Sequence, residues 1–268
     1  MSLDSELRIL YSTHMEWKDT GILLSARQHG ENSLILRLFT PGHGLHAGLL
    51  RASRRQRNQF QPGTLLEATW KARLTEHLGT FQCEVTKTIT GHILHDSGKL
   101  LALQSACLLI ETTLAERDPH PELYNDFVTL LNALTTQHAA GSNASWKTAY
   151  LHFELSLLQH LGFGLDLSEC AATGTTENLV YISPKTGRAV SLEAGAPYKE
   201  KLFPLLEVIK QWQQPAALDV NLPPSSPHQA LCITTHFLQQ HVFTALGKPL
   251  PDIRAHLLDA LASEPSYA

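Results

Sequence analysis

No run of residues in this sequence approaches the roughly 18 to 20 uncharged apolar positions that cross a bilayer, and its first residues lack the basic, apolar and small-residue succession of a signal peptide. A membrane span is excluded on that pattern, and the expected compartment is the cytoplasm. Cysteine is scarce. Cys83, Cys107, Cys170 and Cys232 stand too far apart for a CxxC pair, which argues against a zinc ribbon or a redox dithiol and for single buried thiols. Catalytic signatures are missing as well. There is no Walker A loop, no GxSxG elbow and no GxGxxG after a strand, while Glu111, Glu154, Asp166 and Glu169 are scattered without a partner that would tune a pKa. "GFGLDL" at 162–167 follows a helical pattern, so it reads as a helix terminus and not as a phosphate loop. His43 and His46 in "GHGLHAG" have no third ligand at short range, and the glycines around them suit turns. No catalytic residue, cofactor or metal ligand is expected.

A basic surplus is also lacking: 21 Lys/Arg stand against 25 Asp/Glu, for a net charge of −4, which by itself argues against a nucleic-acid partner. The charge is unevenly spread. Residues 1–90 hold eleven Lys/Arg and eight Asp/Glu, whereas residues 91–268 hold ten and seventeen, so the first third is the basic part.

The 43% of hydrophobic residues in 268 suffices for one large core or two modest ones. From Trp17 to about Thr90, short apolar runs alternate with turn residues: "GILLSAR", "SLILRLFT", "GLHAGLL" and "TFQCEVTKT" are divided by Gly-, Pro- and Asn-containing turns. The clearest alternation places Leu66, Ala68, Trp70, Ala72 and Leu74 on one face and Glu67, Thr69, Lys71 and Arg73 on the other. Five short strands in about 75 residues suit a small barrel of the oligonucleotide-binding (OB) type. From about Ser97 the period becomes helical. A helix is expected after Pro121, another from Trp146 to Leu161 capped by Gly162, and others at about 202–213, 227–246 and 252–262. Residues 163–195 interrupt this pattern with a hairpin turning at Ser183-Pro184-Lys185-Thr186-Gly187. The expected fold is α+β: a barrel over 15–90, then a helical domain over 91–268 carrying an inserted hairpin at about 163–195. "DVNLPPSSPHQ" reads as a loop between helices.

The sharpest local signal is "RASRRQR", with Arg51, Arg54, Arg55 and Arg57 within seven residues at the exit of a strand. Guanidinium groups stay charged and bind phosphate oxygens bidentately, so a flexible loop carrying four of them is a backbone clamp. Arg37, Lys71 and Arg73 lie at outward positions of neighbouring strands and extend the track. Composition alone leaves a solvated charged loop equally open. Aromatics for base stacking are few, with Phe60 adjacent and Trp70 on the apolar face, so backbone contact is better supported than base reading.

Three separated blocks carry a family resemblance. The opening "MEWKDTGILLSARQHGENSLILRLFTPGHGLHAGLLRASRR", the central "FELSLLQHLGFGLDLSEC" with "YISPKTGRAVSLEAGAPY", and the terminal "ALGKPLPDIRAHLLDAL" together resemble the RecO family of DNA repair and recombination mediators. The resemblance implies an OB-fold joined to a helical domain. It also implies binding to single- and double-stranded DNA, to RecR and to the C-terminal tail of single-stranded-DNA-binding protein, with strand annealing, indirect help in loading RecA in the RecF pathway, and a place at the nucleoid. No enzymatic step is implied. Some family members carry a four-cysteine zinc finger in the inserted region. Here the two CxxC pairs read Cys170-Ala171-Ala172-Thr173 and Ser191-Leu192-Glu193-Ala194, so one ligand of four survives, tetrahedral zinc does not fit, and packing is expected to hold the hairpin. Family members begin near "MEW", which sets residues 1–14 apart as an extension outside the fold. Two rival readings remain at this level, a histidine-dependent hydrolase and an OB-fold RNA-binding module, since arginine–phosphate contacts hardly separate DNA from RNA.

Overall fold

The structure, a computed structural model, describes residues 15–74, 77–136, 146–212 and 226–262. The extension at 1–14 and the first part of the Pro- and Ser-rich loop, 219–225, lie outside the described residues. The chain divides into two compact units. One runs up to His92 and takes in Leu114–Tyr124; the other holds Ile93–Thr113 and the chain from Asn125 onward.

The first unit is a closed five-stranded barrel. Its strands are β1 (Met15–His29), β2 (Ser33–Thr40), β3 (Gly44–Arg51), β4 (Leu65–Ala72) and β5 (Thr80–Lys87), hydrogen-bonded in the order β1-β2-β3-β5-β4, with β4 returning to β1. Every pairing is antiparallel except β3 with β5. β1 serves two neighbours: Met15 to Ile22 pair with β4, and Ile22 to His29 pair with β2 across an irregularity between Leu23 and Ser25. Such a bulge bends a strand enough to close a small barrel. This is the expected OB architecture, and its inward residues include Leu34, Leu36, Leu38, Leu66, Ala68, Trp70, Ala72 and Phe81, all buried. Tight packing requires glycine at positions that include 44 and 48. A Cβ on Gly48 would stand 2.5 Å from the Phe81 ring, and one on Gly44, already at φ +63°, would stand 2.1 Å from the backbone of Asp118.

The alternation on β4 holds through Ala72 but not to Leu74, which is 51% exposed. Pairing ends at Met15 with Ala72 on one side and at Thr80 with Lys71 on the other, so no neighbouring strand covers Leu74. The arginine segment also differs from the flexible loop expected. Arg54–Arg57 form a single helical turn, α1, entered through Ser53, whose backbone N–H and hydroxyl both donate to the Gln56 Oε1 at 3.0 and 2.8 Å.

After a short turn, α2 (Thr90–Ile93), the second unit is mainly helical: α3 (Ser97–Thr113), most of α4 (Pro121–Thr135) and α5 (Trp146–His160). α5 ends in a Schellman arrangement, with Gly162 at φ +84° donating to Gln159 O and Phe163 donating to Leu158 O. The hairpin follows as β6 (Leu179–Ile182) and β7 (Ala189–Ser191), then come α6 (Leu192–Gly195), a 3-10 turn (Ala196–Lys201) and a two-residue strand, β8 (Phe203–Pro204), paired with β6. The helix expected at 202–213 is therefore cut short, and α7 spans only Glu207–Trp212. Pro204 explains the loss: it holds the preceding Phe203 extended, and Leu205 donates to Val180 O at 2.9 Å within the sheet. α8 (Ser226–Phe237) continues into a π-helical turn (Leu238–Phe243) that ends at Gly247, φ +64°, and α9 covers Asp252–Ala262.

Two features hold this unit together. Arg254 of α9 and Glu154 of α5 are both fully buried and paired through two contacts, with Thr234 of α8 donating to the same carboxylate. In the hairpin, hydrogen bonding joins packing. The buried Cys170 sulfur accepts from the Ser191 backbone at 3.3 Å, Ser191 Oγ accepts from Ala194 N–H at 3.4 Å, and Cys170 N–H donates to Thr175 O at 2.7 Å. Burial raises the Cys170 thiol, but hydrogen bonds from Ser191, Thr173 and the Ala172 and Ser191 amides outweigh it and bring it down to about 6.

Candidate nucleic-acid interface

The expected cations do not share one fate. Arg51 ends β3 on its outward face and is exposed, as are Arg54 and Arg55 on α1. Arg57 turns back on the barrel: its Nε donates to Ala52 O at 3.4 Å, and its Nη2 is buried without a partner among the described residues. Phe60, three residues on, is buried in the barrel core with Trp70, so neither ring is presented for stacking. Arg37 points outward from β2 but is ion-paired to Glu116 at 3.0 Å. That carboxylate belongs to a segment running beside β3, where Leu45 and Glu116 form a parallel bridge and Arg117 N–H donates to Leu45 O at 2.8 Å. Lys71 is paired to Glu16 across the β4–β1 ladder at 3.0 Å. Arg73 is exposed just past β4, and together with Lys71, Ala72, His77, Gly79 and Thr80 it lines an open cavity of about 370 Å³.

Register explains why residues so far apart in sequence fall on one side of the barrel. Leu49 of β3 faces Thr80 of β5, and Thr80 faces Lys71 of β4. Lys71 is thus two strands from Leu49, whose next outward neighbour along β3 is Arg51. Ser33, opposite Arg51, is in turn opposite His29. Elsewhere the outer face carries opposed charge: Glu67 and Glu84 face each other on β4 and β5, with Lys18 ion-paired to Glu67 at 2.9 Å. The cationic surface is therefore local, centred on the β3 exit.

The turn between β2 and β3 is tied to β1 by Asp19, whose Oδ2 accepts from Gly42 N–H and from His43 Nδ1, each at 3.0 Å. The His43 ring stacks on Trp17 with centroids 4.1 Å apart, and Trp17 also meets His46 and Trp70 edge-on and offset. Sequence reasoning saw only turn glycines here. The Asp-Thr-Gly and Gly-His-Gly triplets are the two halves of one clasp, which a strand-by-strand reading does not connect. Among the described residues no group of three or more His, Cys, Asp or Glu is placed to hold a metal ion, and no helix is long and apolar enough to cross a membrane.

Comparison with known proteins decides the family. Residues 15–89 match the model described as Recombination protein O N terminal, and residues 94–249 match Recombination protein O C terminal. The chain belongs to the RecO family. It is similar to the DNA repair protein RecO of Ruegeria sp. strain TM1040, 44% identical over 251 residues that cover 92% of this chain and 99% of that one. Cereibacter sphaeroides RecO is likewise 44% identical over 253 residues, with coverages of 92% and 99%, and Rhodospirillum rubrum RecO is 41% identical over 249, with 92% and 96%. A RecO protein of this kind has a role in recombinational DNA repair, and none of these relatives is named for a catalysed reaction. The four-cysteine zinc site of some RecO proteins does not fit this chain. Only Cys170 of the four positions is a thiol; hydroxyls at Thr173 and Ser191 hydrogen-bond to its sulfur, and Ala194 offers no donor atom.

Proposed function

We propose that the chain is a recombination mediator that acts by binding and not by catalysis. It holds single- and double-stranded DNA by the phosphate backbone through Arg51, Arg54 and Arg55, with Arg73 and, once released from their carboxylates, Lys71 and Arg37; Arg57 braces the turn from inside. With RecR it helps RecA onto DNA coated by single-stranded-DNA-binding protein, whose tail the helical unit receives, and it anneals complementary strands in the bacterial cytoplasm at the nucleoid. The observation that carries this reading is the set of three exposed guanidiniums at the β3 exit of a barrel in a chain that matches RecO along both of its parts. Exposed Arg clusters favour phosphate over base contact, because no exposed aromatic ring lies among them.

The test is the salt dependence of binding. Replacing Arg51, Arg54 and Arg55 together with alanine removes up to three phosphate contacts. The slope of log K against log salt for single strands is then expected to flatten by about 2, at about 0.7 per contact, and strand annealing to slow with it. An unchanged slope and annealing rate would sink the assignment. Competition between DNA and RNA oligonucleotides of one sequence separates this reading from the RNA-binding module, which predicts tighter binding to RNA. Titration of a tail peptide of single-stranded-DNA-binding protein into the full chain tests the helical unit, where absence of saturation counts against that partner.

A further inference from the structure

The registers of the barrel connect one more cation to the β3 exit. Starting at Arg27 on β1, the paired positions run Arg27 with Ile35, Ile35 with Leu49, Leu49 with Thr80 and Thr80 with Lys71. All five are outward residues, since their strand neighbours Ala26, Leu34, Leu36, Gly48, Leu50, Phe81, Trp70 and Ala72 are buried or packed against the core. The next pairing, Lys71 with Glu16, returns the row to β1 eleven residues upstream of Arg27. That stagger fixes the direction of the row. Eleven residues at about 3.3 Å against five strands at about 4.8 Å make the row climb along the barrel axis about one and a half times as far as it travels around. The five side chains therefore lie on one side of the barrel, in an oblique line about 19 Å long, with Arg27 at one end and Lys71 at the other. Arg51 stands beside its middle, next to Leu49. The line carries no carboxylate between its ends, whereas the β4–β1 face does.

We propose that this row is the path of a single nucleic-acid strand across the barrel, and that Arg27 is a phosphate-binding residue at its far end from Lys71. The proposal rests on the DNA-binding reading above and adds its direction: the strand crosses β1, β2, β3, β5 and β4 in that spatial order and meets Arg51 midway. Ile35, Leu49 and Thr80, which form the middle of the row, present uncharged surface on which a strand can lie while the cations at the ends and flank take its phosphates. A path of about 19 Å accommodates a handful of nucleotides, within the range of about 4 to 16 that one OB barrel covers.

The test uses the full chain and an oligo(dT) probe, with binding measured across a salt series for Arg27→Ala, Arg27→Lys, Lys71→Ala and the Arg27/Lys71 double variant. Lys201→Ala, an exposed cation of the other unit, reports the effect of charge loss alone. Arg27→Ala is expected to weaken binding several-fold and to flatten the slope by about 0.7, with Arg27→Lys restoring most of the slope and the double variant losing about twice as much. Arg27 is exposed, so its removal leaves the core intact, and an unchanged thermal transition verifies that. If Arg27→Ala behaves like Lys201→Ala while the triple variant at Arg51, Arg54 and Arg55 loses binding, the path is wrong and the DNA-binding reading stands. If neither set has an effect, both fall.

Discussion

His46 shows how a residue that invites a functional reading is spent on structure. Its ring is 5% exposed, lies edge-on to Trp70 and Trp17 at 4.6 and 5.0 Å, and has neither nitrogen hydrogen-bonded among the described residues. Burial, reinforced by the nearby Arg117 charge, lowers its pKa from 6.5 to about 4. The fold therefore requires the neutral ring. Above about pH 6.5 both folded and unfolded chains carry it neutral, and stability is full; as pH falls toward 4 the unfolded chain takes up a proton that the fold refuses. A shift of this size is worth about 3 kcal/mol, so the barrel is expected to lose that much between pH 6.5 and 4. Chemical denaturation at a series of pH values measures the loss, and His46→Leu should flatten it. An equal slope in the variant would show that another group is responsible. In the sequence, the histidines at 43 and 46 stand as a pair with no third ligand at short range. That one stacks on Trp17 and the other is buried beneath it was not legible, since their shared partner Trp17 lies on a strand more than 25 residues upstream.

At the scale of elements, the buried pair of Arg254 and Glu154 joins α5 to two helices some 70 to 100 residues downstream. Arg254 Nη2 donates to Glu154 Oε2 at 2.9 Å and to Leu231 O at 3.0 Å, so α5, α8 and α9 meet at one carboxylate and one guanidinium. Removing one partner strands a buried charge. Glu154→Ala is expected to destabilise the helical unit by about 3 to 5 kcal/mol, whereas Glu154→Leu combined with Arg254→Met costs much less, because an apolar pair of similar volume leaves no charge uncompensated. Thermal unfolding of the two variants compares them, and equal losses would mean that packing volume and not charge governs the site. The helices themselves were readable: Trp146 to Leu161 with its Gly162 end, and the last helix, follow from apolar period and capping signals. The buried ion pair was not, for Glu154 and Arg254 each look like an ordinary polar position within an amphipathic stretch. β4 was readable as far as it has neighbours on both sides, and misread at Leu74, where pairing and not pattern decides burial.

For the whole molecule the difficulty is charge. A chain with a net charge of −4 binds a polyanion only if its cations are gathered and its nearby carboxylates are held off, and among the described residues Glu16 and Glu116 are ion-paired to cations of the proposed surface. Glu16 occupies Lys71 and Glu116 occupies Arg37, each at 3.0 Å, with both carboxylates about half exposed. Exposed pairs of this kind are worth about 0.2 to 1 kcal/mol, an amount a phosphate readily replaces, so they would moderate the proposed binding without blocking it. Three-block resemblance pointed to a DNA repair protein, and composition pointed to the basic first third, but neither showed these internal competitors, because ion pairing across a barrel depends on register. Glu16→Gln and Glu116→Gln are each expected to tighten single-strand binding by up to about fivefold, the equivalent of 1 kcal/mol, and to steepen the salt dependence as Lys71 and Arg37 become available to phosphate. The two substitutions free different cations, Lys71 and Arg37, and should add. Weaker binding in either variant would mean that the ion pair positions its cation for DNA instead of competing with it, and would turn Lys71 or Arg37 from a released contact into a pre-arranged one.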